Sequence, residues 1–264
     1  MAAIALLAVI WLCMASCRGS PVYYPAPYDA STWDHLPPRL QVLRYRIDQG
    51  EQVSFYARPA SAGEPRRLWL LFNGQGDTAL EWCDLLQHVG DPDAGFLLFD
   101  YPGSGFCSGS STPSRILAAS EAAVEALRNS LGLSEMAMEE RVGVFGYSLG
   151  TAAALQYAAR HEVRRVVVAA PFTTLAEMAD RMYAWPSGEI IRDRFDNGAR
   201  LAEIARQARR PPVLFIHGDQ DDTIPVEMSA RLAAPYPGWI ERIVVAGADH
   251  DTVVVPALRT LAER

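Results

Sequence analysis

Lysine is missing from this 264-residue sequence: all 24 basic residues are arginine. Chemistry that needs a lysine nucleophile or Schiff base is therefore excluded, and the exclusive use of arginine fits the codon bias of a GC-rich bacterial genome. Cysteine is scarce. Only Cys13, Cys17, Cys83 and Cys107 occur, with no C-x-x-C pair, so the chain lacks a zinc or dithiol signature. Positive charge is in deficit, with 31 acidic residues and a net charge of -7, so a nucleic-acid backbone would be repelled. There is no internal repeat. Half the residues are hydrophobic, enough for one substantial core, and α/β folds of roughly 200–250 residues are often a single domain.

Two N-terminal segments stand apart. "MAAIALLAVIWLCMAS" has no charged side chain and is apolar almost throughout. It is short for a membrane span, which needs ~20 residues, and fits a secretory signal, with Ala15 and Ser16 as small residues before a cut. Cys17 follows at once, and "MASC" resembles a bacterial lipobox, in which the cysteine is lipidated. Met14 stands where leucine is usual, and no basic residue precedes the apolar run. Lipidation at Cys17, ordinary cleavage and a retained anchor are the open readings. All three predict export, to the periplasm or to a membrane surface. Residues 18–38 read as a spacer rich in proline and tyrosine, since its prolines disfavour helix and central strand. Its tyrosines and Trp33 are expected to pack on the surface of the domain, residues 39–264.

From Leu40 the pattern changes. "LQVLRYRI" and "QVSFYARP" flank Asp48-Gln49-Gly50 and predict an antiparallel pair. Six short apolar runs follow, at 67–72, 95–100, 141–146, 164–170, 212–218 and 241–247, of the kind buried in parallel sheets. Between and after them, segments of helical period lie at 78–90, 113–131, 149–160, 173–185, 200–208, 226–234 and 252–262. The alternation predicts an α/β fold with a doubly wound, mostly parallel sheet of about eight strands.

"GYSLG" (146–150) places Ser148 between two glycines where a strand becomes a helix. A tight turn that needs small residues explains the glycines alone. A nucleophile elbow explains the serine as well, because it pushes the hydroxyl out at the carboxyl end of a central strand. A serine nucleophile needs a base, and the base a carboxylate. In this order of elements they follow later strands, acid before base. The loop "HGDQDDTIP" and then "GADHD" fit those places. Of five histidines, His35 lies in the spacer, His88 and His161 in or at the end of helical segments, and His217 before the carboxylates. Only His250 follows the acidic loop and precedes the last helix. For the acid, chemistry leaves Asp219, Asp221 and Asp222 open. Asp249 and Asp251 are chain neighbours of His250 and point away from it, and Asp219 is expected to cap its turn. The N–H of Leu149, after the nucleophile, is one expected oxyanion donor.

The stretches "LLFNGQGD", "FDYPGSGFCSG", "GYSLGTAAALQYA", "APFTTL", "RDRFDN", "PPVLFIHGDQDDTIP" and "GADHD" together resemble, in order, the serine hydrolases of the α/β-hydrolase fold, in particular the group around Bem-46 and the mammalian α/β-hydrolase domain-containing proteins 13 and 17. The resemblance implies hydrolysis of an ester, thioester or amide through an acyl-serine intermediate, with no metal or organic cofactor. In the family's H-G-x-x-D-x-x-[IV]-P pattern the acid matches Asp221. The family usually has His-Gly where this chain has Asn73-Gly74. By position the second oxyanion donor is the backbone N–H of Gln75, which the change to asparagine need not abolish.

Three further expectations follow. Cys83 falls in the helix after the 73–77 loop and Cys107 in the loop after strand 95–100; as these strands are neighbours, the two are candidates for a disulfide if the chain is exported. Residues 171–211, where this fold often carries a lid, are too few for more than short helices. Met182, Tyr183 and Trp185 there either line an acyl pocket or form the buried face of a helix. The expected partner is a small-molecule or acylated substrate. Two rival functions keep the same fold: an acyltransferase with the same three residues and an alcohol or amine acceptor, and a non-catalytic scaffold at the cell envelope.

Overall fold

A computed structural model describes residues 22–61, 63–183 and 194–262. Cys17 and Trp185 lie outside the described residues, and so does the apolar N-terminal segment. Eight strands form one sheet: β1 (Leu40–Ile47), β2 (Gly50–Ala57), β3 (Arg67–Phe72), β4 (Ala94–Phe99), β5 (Val142–Tyr147), β6 (Arg165–Ala169), β7 (Val213–Gly218) and β8 (Ile240–Val245). Their spatial order is β1-β2-β4-β3-β5-β6-β7-β8. The pairs β1–β2 and β2–β4 are antiparallel, and all later pairs are parallel. The mostly parallel α/β sheet is the one the alternating pattern predicts.

The uninterrupted apolar runs are explained by burial on both faces. Leu68, Leu70 and Phe72 of β3 enter one core layer while Trp69 and Leu71 enter the other. In β7, Val213 and Phe215 divide from Leu214 and Ile216 in the same way. β8 is different. As an edge strand it leaves Ile243 and Val244 exposed.

Helix ends follow local chemistry. Helix Pro113–Leu131 has Thr112 accepting from the Arg115 N–H, proline in the first turn and Gly132 at φ 65° as its stop. Helix Asn197–Ile204 starts earlier than its apolar period suggests, because Asp196 caps the Ala199 N–H at 2.8 Å. The last helix is shorter than expected, Val254–Arg259, and keeps Pro256 in its first turn, where a missing N–H costs nothing. Two elements were not expected. One is helix Glu135–Glu139, capped by Ser134; the other is a 3-10 turn, Ala30–His35, capped by Asp29 inside the proline-rich segment. Among the described residues no helix is long and apolar enough to cross a membrane.

Helix Leu149–Arg160 lies close against the sheet. Its Gly150, Thr151, Ala152, Ala153, Ala154, Leu155, Tyr157 and Ala158 are all buried. A Cβ on Gly150 would stand 2.0 Å from the Phe72 carbonyl oxygen and 2.5 Å from that of Asn73. Gly150→Ala should therefore lower stability by ~1–3 kcal/mol, the usual cost of overpacking. Gly198→Ala, in a helix and clear of any such contact, should be neutral or slightly stabilising. Urea denaturation of both variants measures the difference.

Candidate active site

The candidate residues sit on loops at the carboxyl ends of β3, β5, β7 and β8. After β5 the chain turns sharply into the helix, and Ser148 takes φ 52°, ψ -120°. That left-handed region is unfavourable for a residue with a Cβ and costs on the order of 1–3 kcal/mol. It is over-determined here. The Ser148 N–H donates to Ala169 O at 3.0 Å, and Ser148 O accepts from the Thr151 N–H at 3.0 Å and the Thr151 hydroxyl at 2.7 Å. The turn leaves Ser148 half-buried with its hydroxyl facing the later loops.

Ser148 Oγ lies 3.0 Å from His250 Nε2, and His250 Nδ1 lies 2.8 Å from Asp221 Oδ2. The structure thus brings together residues 148, 221 and 250 from three separate strand ends. The other Asp221 oxygen, Oδ1, accepts from the N–H groups of Thr223 at 3.0 Å and Ile224 at 2.7 Å. Burial alone would push the Asp221 carboxyl up. The hydrogen bonds from His217, His250 and the Ile224 amide, with the charge of His250, outweigh burial and hold it well below the usual carboxylate range.

The neighbouring carboxylates have other work. Asp219 Oδ1 accepts from the Gly247 N–H at 2.7 Å, so it caps the turn of the next loop rather than its own. Asp222 is exposed. Asp249 accepts from the backbone and hydroxyl of Thr252 at 2.8 and 2.6 Å, while the Thr252 hydroxyl accepts from the Asp249 N–H at 2.9 Å. That reciprocal cap fixes the turn that carries His250. The acid loop and the base loop also touch, since a Cβ on Gly218 would lie 2.1 Å from Ala248 O. This explains the glycine after His217.

Two residues next to these were not singled out from the sequence. The Tyr147 hydroxyl reaches the His250 carbonyl at 3.2 Å and Asp251 Oδ1 at 3.1 Å, tying the elbow to the base loop. His217 is fully buried, and its Nε2 lies 2.8 Å from Ile224 O and 3.3 Å from Asp221 Oδ2. A carbonyl partner requires Nε2 to carry a proton, so His217 supports the acid from behind. Its place before the carboxylates was visible; its contact across the loop was not.

The loop after β3 carries the expected second oxyanion donor. The Asn73 carbonyl accepts from the Tyr101 hydroxyl at 2.8 Å, its side-chain amide donates to Asp77 O at 2.9 Å, and the Gly74 N–H donates to Asp77 Oδ2 at 3.0 Å. Asn73 thus serves to brace the turn. Gln75 is exposed, and its side-chain amide donates to Val22 O. The contact of Gly150 with Phe72 and Asn73 places this turn beside the start of the helix, where the Leu149 N–H has no intrahelical acceptor.

The expected disulfide is not formed: Cys83 and Cys107 are free and buried. Cys83 packs in the core under its short helix, with Sγ 3.9 Å from Ala79 O. Cys107 turns the other way, to β2, where its Sγ lies 3.3 Å from Val53 N and Val53 O. Burial raises both thiols, Cys83 to about 11 and Cys107 to about 12, so both stay protonated. Met182 is 64% exposed, so it does not belong to a buried helix face. A cavity of about 590 Å³ lies at the opposite, amino edge of the sheet, lined by Gln41, Tyr56, Arg58 and Ser130 among others, and contains none of the candidate residues.

Comparison with known proteins agrees with the fold. The profile of the alpha/beta hydrolase family matches residues 69–207. This chain belongs to the α/β-hydrolase family. It is 27% identical over 232 residues to an uncharacterised protein of Mycobacterium tuberculosis, covering 87% of this chain and 79% of that one. To human alpha/beta hydrolase domain-containing protein 17B it is 31% identical over 155 residues, 59% of this chain and 50% of that one. Among solved structures, a Pyrococcus furiosus esterase superposes with a TM-score of 0.64 at 15% identity, covering 92% of each chain. That likeness is one of fold. Membership in the family is consistent with hydrolase activity.

Two measurements follow from the buried groups. Thiol titration of the unfolded, unreduced chain should find Cys83 and Cys107 both reactive; a missing pair would contradict the packing. Asp100, 1% exposed, is the second. Burial raises its carboxyl to about 7 against the hydrogen bonds from the Ala79 N–H and the Tyr28 hydroxyl. The folded chain then keeps a proton that the unfolded chain loses near its ordinary value of ~3.9, so stability should fall as pH rises from about 4 to 7. Asp100→Asn should flatten that slope in urea midpoints taken across the interval.

Proposed function

We propose that this chain is a serine hydrolase that cleaves an ester, thioester or amide through an acyl-serine intermediate. The observation that carries the reading is the hydrogen-bonded relay from Ser148 through His250 to Asp221, with spacings of 3.0 and 2.8 Å. Ser148 Oγ attacks the acyl carbonyl carbon as His250 Nε2 takes its proton. Asp221 holds the imidazole by Nδ1 and stabilises its charged form. The N–H groups of Gln75 and Leu149 receive the oxyanion. Collapse expels the alcohol, thiol or amine, which leaves with the proton from Nε2. Water then attacks the acyl-enzyme with His250 as base, releasing the acid and restoring Ser148. The esterase among the structural neighbours makes an ester the first substrate to test. The apolar N-terminal segment ending at Ala15-Ser16-Cys17 supports an exported protein, attached to a membrane if Cys17 is lipidated.

A panel of acyl p-nitrophenyl esters, acyl-thioesters and aminoacyl amides, assayed side by side, tests the class. Ser148→Ala should fold and lose at least ~10³-fold in turnover, the scale of losing a triad member. Retained turnover in a clean preparation would sink the mechanism. Asp221→Asn should cost far more activity than Asp219→Asn or Asp222→Asn. At position 219 an asparagine oxygen still accepts from Gly247, whereas at 221 the amide favours the wrong imidazole tautomer. Greater damage at 222 would move the acid assignment by one residue.

A further inference from the structure

The segment from Val22 to Tyr28 lies across the loop that carries Gln75. The Val22 carbonyl accepts from the Gln75 side-chain amide. Ala26 O accepts from the Gly105 N–H at 2.8 Å, and Pro27 forms a bridge with Gly105. Tyr28 then points inward, its ring 4.8 Å from that of Phe106 and edge-on to Phe55. Its hydroxyl donates to Asp100 Oδ1 at 3.2 Å and accepts from the Leu80 N–H at 2.9 Å. The same carboxylate oxygen accepts from the Ala79 N–H at 2.8 Å. A few residues on, Trp33 stacks on Phe106 at 3.9 Å with Arg44 over its other side, which pins the segment in place.

These contacts bracket one loop. At its start, the Tyr101 hydroxyl holds Asn73 O. At its end, the consecutive N–H groups of Ala79 and Leu80 are held by Asp100 and Tyr28. Between the two anchors the turn passes through Gly74, Gln75 and Gly76, the last at φ 82°, and its bonds to Asp77 brace it internally without fixing it to the rest of the fold. An oxyanion donor acts only if its N–H is aimed at the developing charge, and small displacements are costly. Two of the ties on this turn come from a segment more than fifty residues away in sequence (|i−j| of 53 for Val22 and 52 for Tyr28).

We infer that the N-terminal segment is a working part of the active site: Tyr28 and the Val22 carbonyl are positioning groups that hold the Gln75 N–H where the oxyanion forms. This rests on the serine-hydrolase reading. It assigns the proline-rich segment a role beyond that of a spacer, since moving the segment moves the donor.

The test uses the full chain and two variants. Tyr28→Phe removes the hydroxyl and keeps the ring; Gln75→Leu, at an exposed position, removes the side-chain tie and keeps the backbone N–H. For a p-nitrophenyl ester each variant should lower kcat by about tenfold with KM nearly unchanged, less than the ~10²–10³ of deleting a donor because the donor is displaced, not lost. A trifluoromethyl ketone gives an independent readout. Ser148 Oγ adds to its carbonyl carbon, the proton passes to His250, and the new oxyanion occupies the hole, so affinity should fall by the same factor as kcat. Melting temperature is measured alongside. A lower Tm with parental kcat and parental inhibitor affinity would mean that the segment only stabilises the fold, and would overturn the inference. If Tyr28→Phe does not fold, Gln75→Leu decides alone. A parent chain that neither turns over any member of the panel nor labels with a fluorophosphonate overturns the hydrolase reading, and this inference with it.

Discussion

Ser148 is held in a backbone conformation that its own Cβ disfavours, and much of the surrounding structure serves to hold it there. The φ of 52° lifts the hydroxyl off the sheet and starts the helix at once. A helix that starts so abruptly must lie almost on the strands, so its buried face is rich in alanine and its second residue, Gly150, can carry no side chain. The same closeness sets the Gln75 turn beside the Leu149 N–H. One unfavourable torsion is thus tied to the glycine at 150, to the turn that packs against it and to the geometry of the site. The cost is met by three hydrogen bonds on the serine backbone and by burial of the small residues beneath it.

Much of this was legible because it depends on neighbours in sequence. Apolar runs mark β3 to β7 because both faces of those strands are covered, and Thr112, Pro113 and Gly132 mark the ends of their helix by local rules. The order of Ser148, the acidic loop and His250 follows from strands that run the same way and deliver their ends to one edge. What was not legible depends on contacts across the fold. Nothing near Tyr147 in sequence announces its reach to Asp251, 104 residues on. The cysteine pair failed for the same reason. Loops on neighbouring strands were expected to meet, yet Cys107 turns toward β2 and Cys83 into the core, and only packing decides that.

The carboxylates around the base illustrate how one residue type divides its labour. Asp221, Asp219, Asp249 and Asp251 stand within one pair of loops. Asp221 faces the imidazole. Asp219 and Asp249 spend their oxygens on backbone N–H groups, and Asp251 takes a tyrosine hydroxyl. The difference lies in which backbone groups each carboxylate reaches first, since a short acidic side chain near a turn binds the nearest free amide. The residue left for the imidazole is the one whose second oxygen is already saturated by two amides.

The three candidate residues come from β5, β7 and β8, and the last of these is an edge strand followed directly by the loop that bears His250. A ribosome that has made β1 to β7 and the loop after β7 has therefore made Ser148 and Asp221 but not His250. Until the loop after β8 is in place, the Ser148 hydroxyl lacks its His250 Nε2 neighbour. The constellation of Ser148, Asp221 and His250 is therefore complete only once the loop after the last strand of the sheet has been made.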